Sequence, residues 1–553
     1  MTVDLIILNA RVLTMDEAAP RAEALAVKGN RIIAVGTRLA IDALAGPATR
    51  RIDAQGKTVL PGFSENHLHI FSGGASLAKL SLADIKSFAA LQSALRDCAA
   101  RHPDETLISG IQATYAVSEV PLDRHALDRI FADRPLSVHA ADGHTVWANT
   151  LALDRAGILH GRDLPPGNEI VMGADGLATG ELREHAAFGP VLSLRKRGGR
   201  EGFGVRTGRD PVPTPTAEER AQDKATIRRG LDYCAARGIT SIHNMDGNFY
   251  QLGILEELDD EGALPCRIQI PHHQKNDKTL DDLIRDAPAM RARGRRDRVT
   301  SNFVKIFVDG VLESTTALML DDYAGHPGNR GLALFTQEEM EATVIAADRL
   351  GFQIAVHAIG DAGVRRTLDA FEAARKANGV RDSRHRIEHV EMIDPADIGR
   401  FRDLGVIASI QPLHAPGALS YDGDALMALL GPARQPYAFA WRTLREAGAR
   451  QCLASDWPVS PVDPLRSICA AVTRTPALPG LPEQALTLEE AIAGYTRDGA
   501  YAEFAEDRKG RLKPGFLADI VVLDSDIEAL APEAIVDARA VLTICDGRVT
   551  HEA

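Results

Sequence analysis

Apolar and polar positions divide the chain into two regimes. Near both ends, short apolar stretches alternate with polar residues at period two or form brief apolar runs, the spacing that buries one face of a strand. Leu5–Leu8, Arg11–Thr14, Ala24–Val27 and Arg31–Val35 read this way, with Lys28-Gly29-Asn30 as a tight turn between the last two. Ala518–Leu523, Val541–Cys545 and Arg548–Thr550 repeat the pattern at the far end, the last two split by Asp546-Gly547. Neither group can cover both of its faces alone. The two are therefore expected to combine into one small β-sandwich built from residues 1–56 and 510–553.

From Thr216 onward the pattern changes to helices separated by compact strands. Thr216-x-x-Glu219 is a capping box opening a helix to Arg237 that Gly238 stops; Thr336-x-x-Glu339 opens another ended by Gly351, and Thr487-x-x-Glu490 a third. Around them lie strands at Ile239–Asn244, Arg267–Ile270, Phe303–Val308, Phe352–His357, Arg386–Val390, Val406–Gln411 and Gln451–Ser455. A strand ending near His67 makes eight, the number that closes a parallel βα barrel. No Gly-rich phosphate turn follows any strand, as an open doubly wound sheet would want. The expected fold is α/β, a (β/α)8 TIM-type barrel over residues 57–509 with an insertion at about 70–215.

That insertion is the least regular stretch. It carries a helix over Phe88–Arg101, a strand at Leu136–Ala140 and a hairpin over Glu169–Leu182 turning at Ala174-Asp175-Gly176. Gly198-Gly199 and the Pro-rich run Pro211–Pro215 are linker chemistry. Long ordered excursions in compact domains tend to be functional, so a lid or cap is expected.

The chemistry begins at Leu60-Pro61-Gly62, where an apolar run breaks and releases His67-Leu68-His69. In extended backbone the two imidazoles project to the same side and make half of a divalent metal site. Lys305, His357, His389 and Asp456 each lie in or just after a strand, at the end where barrel enzymes place reacting groups. His and carboxylate suit zinc and similar metals. Lys305 does not, since a buried unpaired ammonium is costly. Either Asp309, Asp456 or another carboxylate pairs with it, or it condenses with carbon dioxide to a carbamate able to bridge two metals.

Composition narrows the partners. A formal charge of -13 argues against nucleic acid or an anionic membrane, and the basic run Arg291–Arg298 reads as a solvated helix end. An apolar content of 45% with 25% charged residues is ordinary for a globular protein. The six cysteines are scattered without a C-x-x-C pair, and the Met1–Ile7 stretch has an acid where a leader wants a base. With no apolar run long enough to span a bilayer, a cytoplasmic protein is expected, with a homodimer as the assembly usual for its size.

Taken together, these motifs resemble the amidohydrolase superfamily. They are Leu60-Pro61-Gly62 leading into His67-Leu68-His69, Val304–Gly310 around Lys305, Val356–Asp361 around His357, Arg386-Ile387-Glu388-His389, and Ala454-Ser455-Asp456-Trp457-Pro458. More narrowly they are similar to the amidohydrolase-3 group, which includes the N-substituted formamide deformylases, and the likeness extends to Leu512–Ile520. The resemblance implies two divalent ions, most readily Zn2+. His67 and His69 would hold one, His357 and His389 the other, carboxylated Lys305 would bridge, and Asp456 would touch the first metal and act as general base. It also implies hydrolysis of an amide-type C–N bond in a small N-substituted formamide or N-acyl compound by a metal-activated hydroxide. His144, Trp147, Gln411, His414 and Trp457 are candidates for the substrate wall, a mixture of rings and neutral polar groups that suits an uncharged amide.

Two rivals differ in class. A mononuclear aminohydrolase acting on a heterocycle would carry a Glu shortly after the strand-five histidine, where Ala358-Ile359-Gly360-Asp361 stands instead, and would not need Lys305. A non-catalytic scaffold on the same fold would have lost ligands, yet all six positions hold competent residues.

Overall fold

The computed structural model describes residues 2–195, 199–418 and 423–553, so Met1 and Gly198 of the readings above lie outside the described residues. Strands from the two ends of the chain meet, but unequally. A four-stranded sheet is wholly N-terminal, in the order Arg31–Gly36, Ala24–Lys28, Leu5–Leu8, Arg50–Asp53. The mixing occurs in a six-stranded sheet, where Ile520–Leu523 pairs antiparallel with Thr58–Pro61 and is followed outward by Ala540–Cys545 and Arg548–Glu552. Leu5, Ile7, Leu25 and Val27 from the first sheet share one apolar cluster with Val12, Val59, Ile520, Val522 and Leu542 from the second. Period-two alternation accounts for this, since every second side chain of each strand faces the same side.

Thr58–Pro61 leads through Gly62 directly into the central strands. A side chain at Gly62 would stand 2.3 Å from Thr240 Cγ2, so only glycine lets the two backbones approach this closely.

The central strands are β1 (Phe63–Leu68), β2 (Ile239–Asn244), β3 (Arg267–Gln269), β4 (Phe303–Phe307), β5 (Gln353–Ala358), β6 (Arg386–His389), β7 (Ile407–Ile410) and β8 (Arg450–Leu453). Every pairing among them is parallel: β1 with β2, β2 with β3, and then β4 through β8 in sequence order. Beyond β3 the same segment continues to His272–His273, which pairs with Val304 and Lys305 of β4. A parallel bridge joins Leu68 at the end of β1 to Trp457 beyond β8.

Helices between these strands form because apolar residues recur at helical spacing behind capped starts. The capping boxes at Thr216, Thr336 and Thr487 are all formed, with each Thr side chain accepting from the N3 backbone and each N3 Glu reaching back. Asp361–Asn378 buries Val364, Leu368, Phe371 and Ala374, the i, i+4, i+7 stripe that faces the strands.

The 70–215 stretch builds a sheet of its own, in the order Glu169–Met172, Ala178–Arg183, Thr145–Ala148, Leu136–Ala140, Ile108–Ala113, Leu80–Ser81. Phe88–Arg101 is helical, while Pro211–Pro215 has neither helix nor strand. Among the described residues no helix is long and apolar enough to cross a membrane.

Candidate active site

β1 delivers His67 and His69 to the end where β4, β5 and β6 deliver Lys305, His357 and His389, and the turn after β8 delivers Asp456. His67, His389 and Asp456 bring three potential ligand atoms within 4.8 Å of one another. Asp456 Oδ1 lies 3.2 Å from Nε2 of both His67 and His69. The His389 ring is 4.9 Å from that of His67 and 4.5 Å from that of His357. His144, from the 70–215 segment, comes within 5.4 Å of His357.

Each of the first two histidines is oriented from behind. His67 Nδ1 donates to Glu388 at 2.8 Å and His69 Nδ1 to Asp246 at 2.7 Å, leaving both Nε2 atoms for the site. His357 donates Nε2–H to the Gly310 carbonyl at 3.0 Å, so its Nδ1 is the free lone pair. His144 Nδ1 contacts both oxygens of Glu184 at 2.9 Å.

Backbone strain collects in the same place. His389, Val390 and Asp456 have φ of 78°, 48° and 61°, a left-handed conformation that costs non-glycine residues about 1–3 kcal/mol each. Such geometry persists only where the surroundings impose it, and here it aims two of the converging side chains.

The electrostatics follow from burial. Burial works against the charge on Asp456, but His67 and His69 hold it well below the usual carboxylate range. Glu388 is likewise pulled down, against burial, by Arg386 and His67. Burial lowers Lys305 to about 8, opposed by Glu388 and Asp456. Burial also opposes charge on His144, yet Glu184 outweighs it and lifts the imidazole to about 9.

Among the described residues, the buried atoms here without a hydrogen bond include Lys305 Nζ, His389 Nδ1 and Asp456 Oδ1. Natural interiors rarely leave such groups unsatisfied. Imidazole nitrogens and a carboxylate oxygen around one space form a donor set that fits divalent cations, whereas the Lys305 amine does not as an ammonium. The carboxylate-pairing reading of Lys305 is not met. Asp309 instead accepts backbone N–H groups of Leu318, Ile359 and Gly360, and the ammonium lies 4.6 Å from the Phe307 ring centroid with no hydrogen-bond partner among the described residues.

A model of the amidohydrolase family matches residues 50–551. The chain belongs to the amidohydrolase family. This amidohydrolase is 29% identical over 542 residues to Protein LONG AFTER FAR-RED 3 of Arabidopsis thaliana, covering 95% of this chain and 88% of that protein. It is 27% identical over 559 residues to N-substituted formamide deformylase of Arthrobacter pascens, covering 99% and 98%. Among solved structures, an uncharacterized metal-dependent hydrolase from Pyrococcus horikoshii superposes with a TM-score of 0.72 at 23% identity, over 96% of this chain and 99% of that one, a likeness of fold. As a family member the chain is a hydrolase acting on carbon–nitrogen bonds other than peptide bonds.

The cavity of this amidohydrolase, about 180 Å³, is lined by His67, His69, His144, His357, His389 and Asp456, among others. Of the five residues assigned to its wall from the sequence, His144 lines it and the other four do not. Trp147 is 5% exposed and packs edge-on against Tyr115 at 5.4 Å, inside the core of the 70–215 segment. Trp457 stacks on Tyr233 at 5.6 Å behind the site. Both rings are committed to packing, and neither lines the cavity. Gln411 and His414 are buried close by but off the wall, with His414 Nε2 4.0 Å from Asp456 Oδ2 and Nδ1 3.3 Å from Glu391. His389, Glu391 and His414 form a second cluster of metal-ligating type.

Glu388 and Asp246 escaped the sequence reading, although both follow its strand-end rule: one precedes His389 and the other follows β2. Arg386 completes the support. It is 1% exposed and donates to Glu388, to the Asn66 carbonyl at 2.7 Å and to Ser409 at 3.1 Å. Arg386→Met strands a buried carboxylate and is expected to cost about 3–5 kcal/mol. Thermal unfolding checks this, and a midpoint equal to wild type would mean that His67 alone suffices for Glu388.

Proposed function

We propose that this amidohydrolase is a metal-dependent hydrolase of a small N-acyl or N-substituted formamide compound. In this reading the eight parallel strands close as a (β/α)8 barrel over residues 57–509. The two terminal sheets make a β-sandwich from 1–56 and 510–553 together with the Thr58–Pro61 strand, which the sequence boundary leaves in the barrel, and the 70–215 segment caps the site. Continuity of pairing through 267–273 and the Leu68–Trp457 bridge support the barrel. The observation that carries the function is the convergence of unsatisfied buried atoms on Lys305, His389 and Asp456 beside two carboxylate-oriented histidines.

His67, His69 and Asp456 would hold one divalent ion, Zn2+ for preference, and His357 and His389 a second, with Lys305 as a carbamate between them. Bound there, the ions polarise the amide carbonyl and lower the pKa of water. For the carbamate, neutral Nζ adds to the carbon of CO2 and releases one proton. Asp456 accepts a proton from the attacking water and returns it to the departing nitrogen. His144, held through Nδ1 by Glu184, offers Nε2–H to the carbonyl oxygen as charge develops on it.

Elemental analysis together with a panel of formamides, N-acyl amino acids, cyclic amides, esters and aminated heterocycles tests the proposal. About two metal equivalents per chain and acid release from an amide are expected, lost on chelation and restored by Zn2+. One equivalent with ammonia release from a heterocycle would establish the deaminase instead.

A further inference from the structure

The cavity that holds the histidines has a second chemical character. Lys79, Arg195 and Arg206 line it together with a single carboxylate between them, Glu201. Lys79 Nζ and Arg195 Nη1 both donate to the same oxygen, Glu201 Oε1, at 2.8 Å. Arg195 Nη2 is 3.0 Å from His139 Nε2, and Arg206 Nη2 donates to the Gly199 carbonyl. Among the described residues neither arginine finds a partner for Nε, and Arg206 is 8% exposed. The other carboxylates on the wall are engaged elsewhere. Asp142 takes the His144 backbone N–H and the Tyr115 hydroxyl, and Asp456 lies between His67 and His69.

Three cations against one anion in a buried wall is an unbalanced arrangement. Charges withdrawn from water are stable only when paired. Burial lowers Lys79 to about 8 and Arg206 to about 10, the direction expected of uncompensated positive charge. Apolar Phe188, Leu192 and Val205 share the same cavity. A volume of about 180 Å³ admits a small molecule.

We infer that Arg195, Arg206 and Lys79 form a carboxylate subsite. The substrate is then an anionic amide, an N-acyl amino acid or a carboxylated N-substituted formamide, with a short apolar body between its carboxylate and the amide. A guanidinium fork matches the two oxygens of a carboxylate, which gives orientation as well as attraction. The inference rests on the hydrolase reading above and replaces the uncharged amide expected from the sequence with a charged one.

Calorimetric binding of 4-methylbenzoate and its isostere 4-methylbenzamide to the metal-loaded enzyme tests this without turnover. The carboxylate is expected to bind at least about tenfold more tightly. Arg206→Gln and Arg195→Gln should each collapse that preference to within about twofold, while Arg206→Lys keeps part of it. Arg195→Gln carries the test if Arg206→Gln does not fold. Equal affinity of wild type for the two probes would overturn the subsite. So would a preference untouched by both Gln variants, since the carboxylate would then be bound by the metal ions. Intact, arginine-dependent benzoate binding in an enzyme that hydrolyses no amide would instead sink the hydrolase reading and leave the subsite standing.

Discussion

Asp456→Asn lowers kcat by about 10²- to 10⁴-fold on an amide substrate, the share that a positioned general base contributes. The substitution preserves shape and removes only the ability to take a proton. It should fold, because φ at this position is 61° and Asn tolerates the left-handed region as Asp does. An amide oxygen still faces His67 and His69, so metal content measured on the purified variant is expected to stay close to wild type. Burial would ordinarily favour the protonated acid here, yet the two imidazoles hold the carboxyl well below its usual range. In the proposed role Asp456 is therefore ionised throughout the neutral range. Retention of more than a tenth of wild-type turnover by metal-replete protein would move the role of base to another group, with His144 and its Glu184 partner next in position.

What could be read from the sequence was whatever local periodicity encodes. Leu5–Leu8 and Phe303–Phe307 were legible because strands of four or five apolar-rich residues leave few alternatives, and the helix starts because Thr-x-x-Glu closes a local bond pair. The histidines and Asp456 were legible because in a parallel βα fold the ends of strands gather at one place. Trp147 and Trp457 were not. A ring in the core and a ring on a cavity wall look alike in sequence, and the partners that decide, Tyr115 and Tyr233, come from other elements. The cationic wall was invisible for the same reason. Lys79, Arg195 and Arg206 are ordinary loop and helix-end charges until the 70–215 segment folds over the strand ends.

Lys305→Met separates the two lives this side chain can lead. Lys305 is fully buried beside an aromatic ring, with no hydrogen-bond partner among the described residues. As an ammonium it is a desolvated charge, and replacement of such a group by an apolar one of similar volume is neutral or stabilising by about 1–4 kcal/mol. A residue kept only for packing would thus lose nothing on becoming Met. A carbamate that bridges two cations removes far more when it goes. The variant is expected to unfold at or above the wild-type temperature once both proteins are stripped of metal. Loaded with Zn2+, it should hold at most about one equivalent and turn over at least about 10²-fold more slowly, having lost the anion that lets two ions act together. Stability and function then move in opposite directions, which no packing role produces. If Met at 305 leaves metal content and turnover unchanged, the bridge is wrong and the site reduces to the cluster of His67, His389 and Asp456.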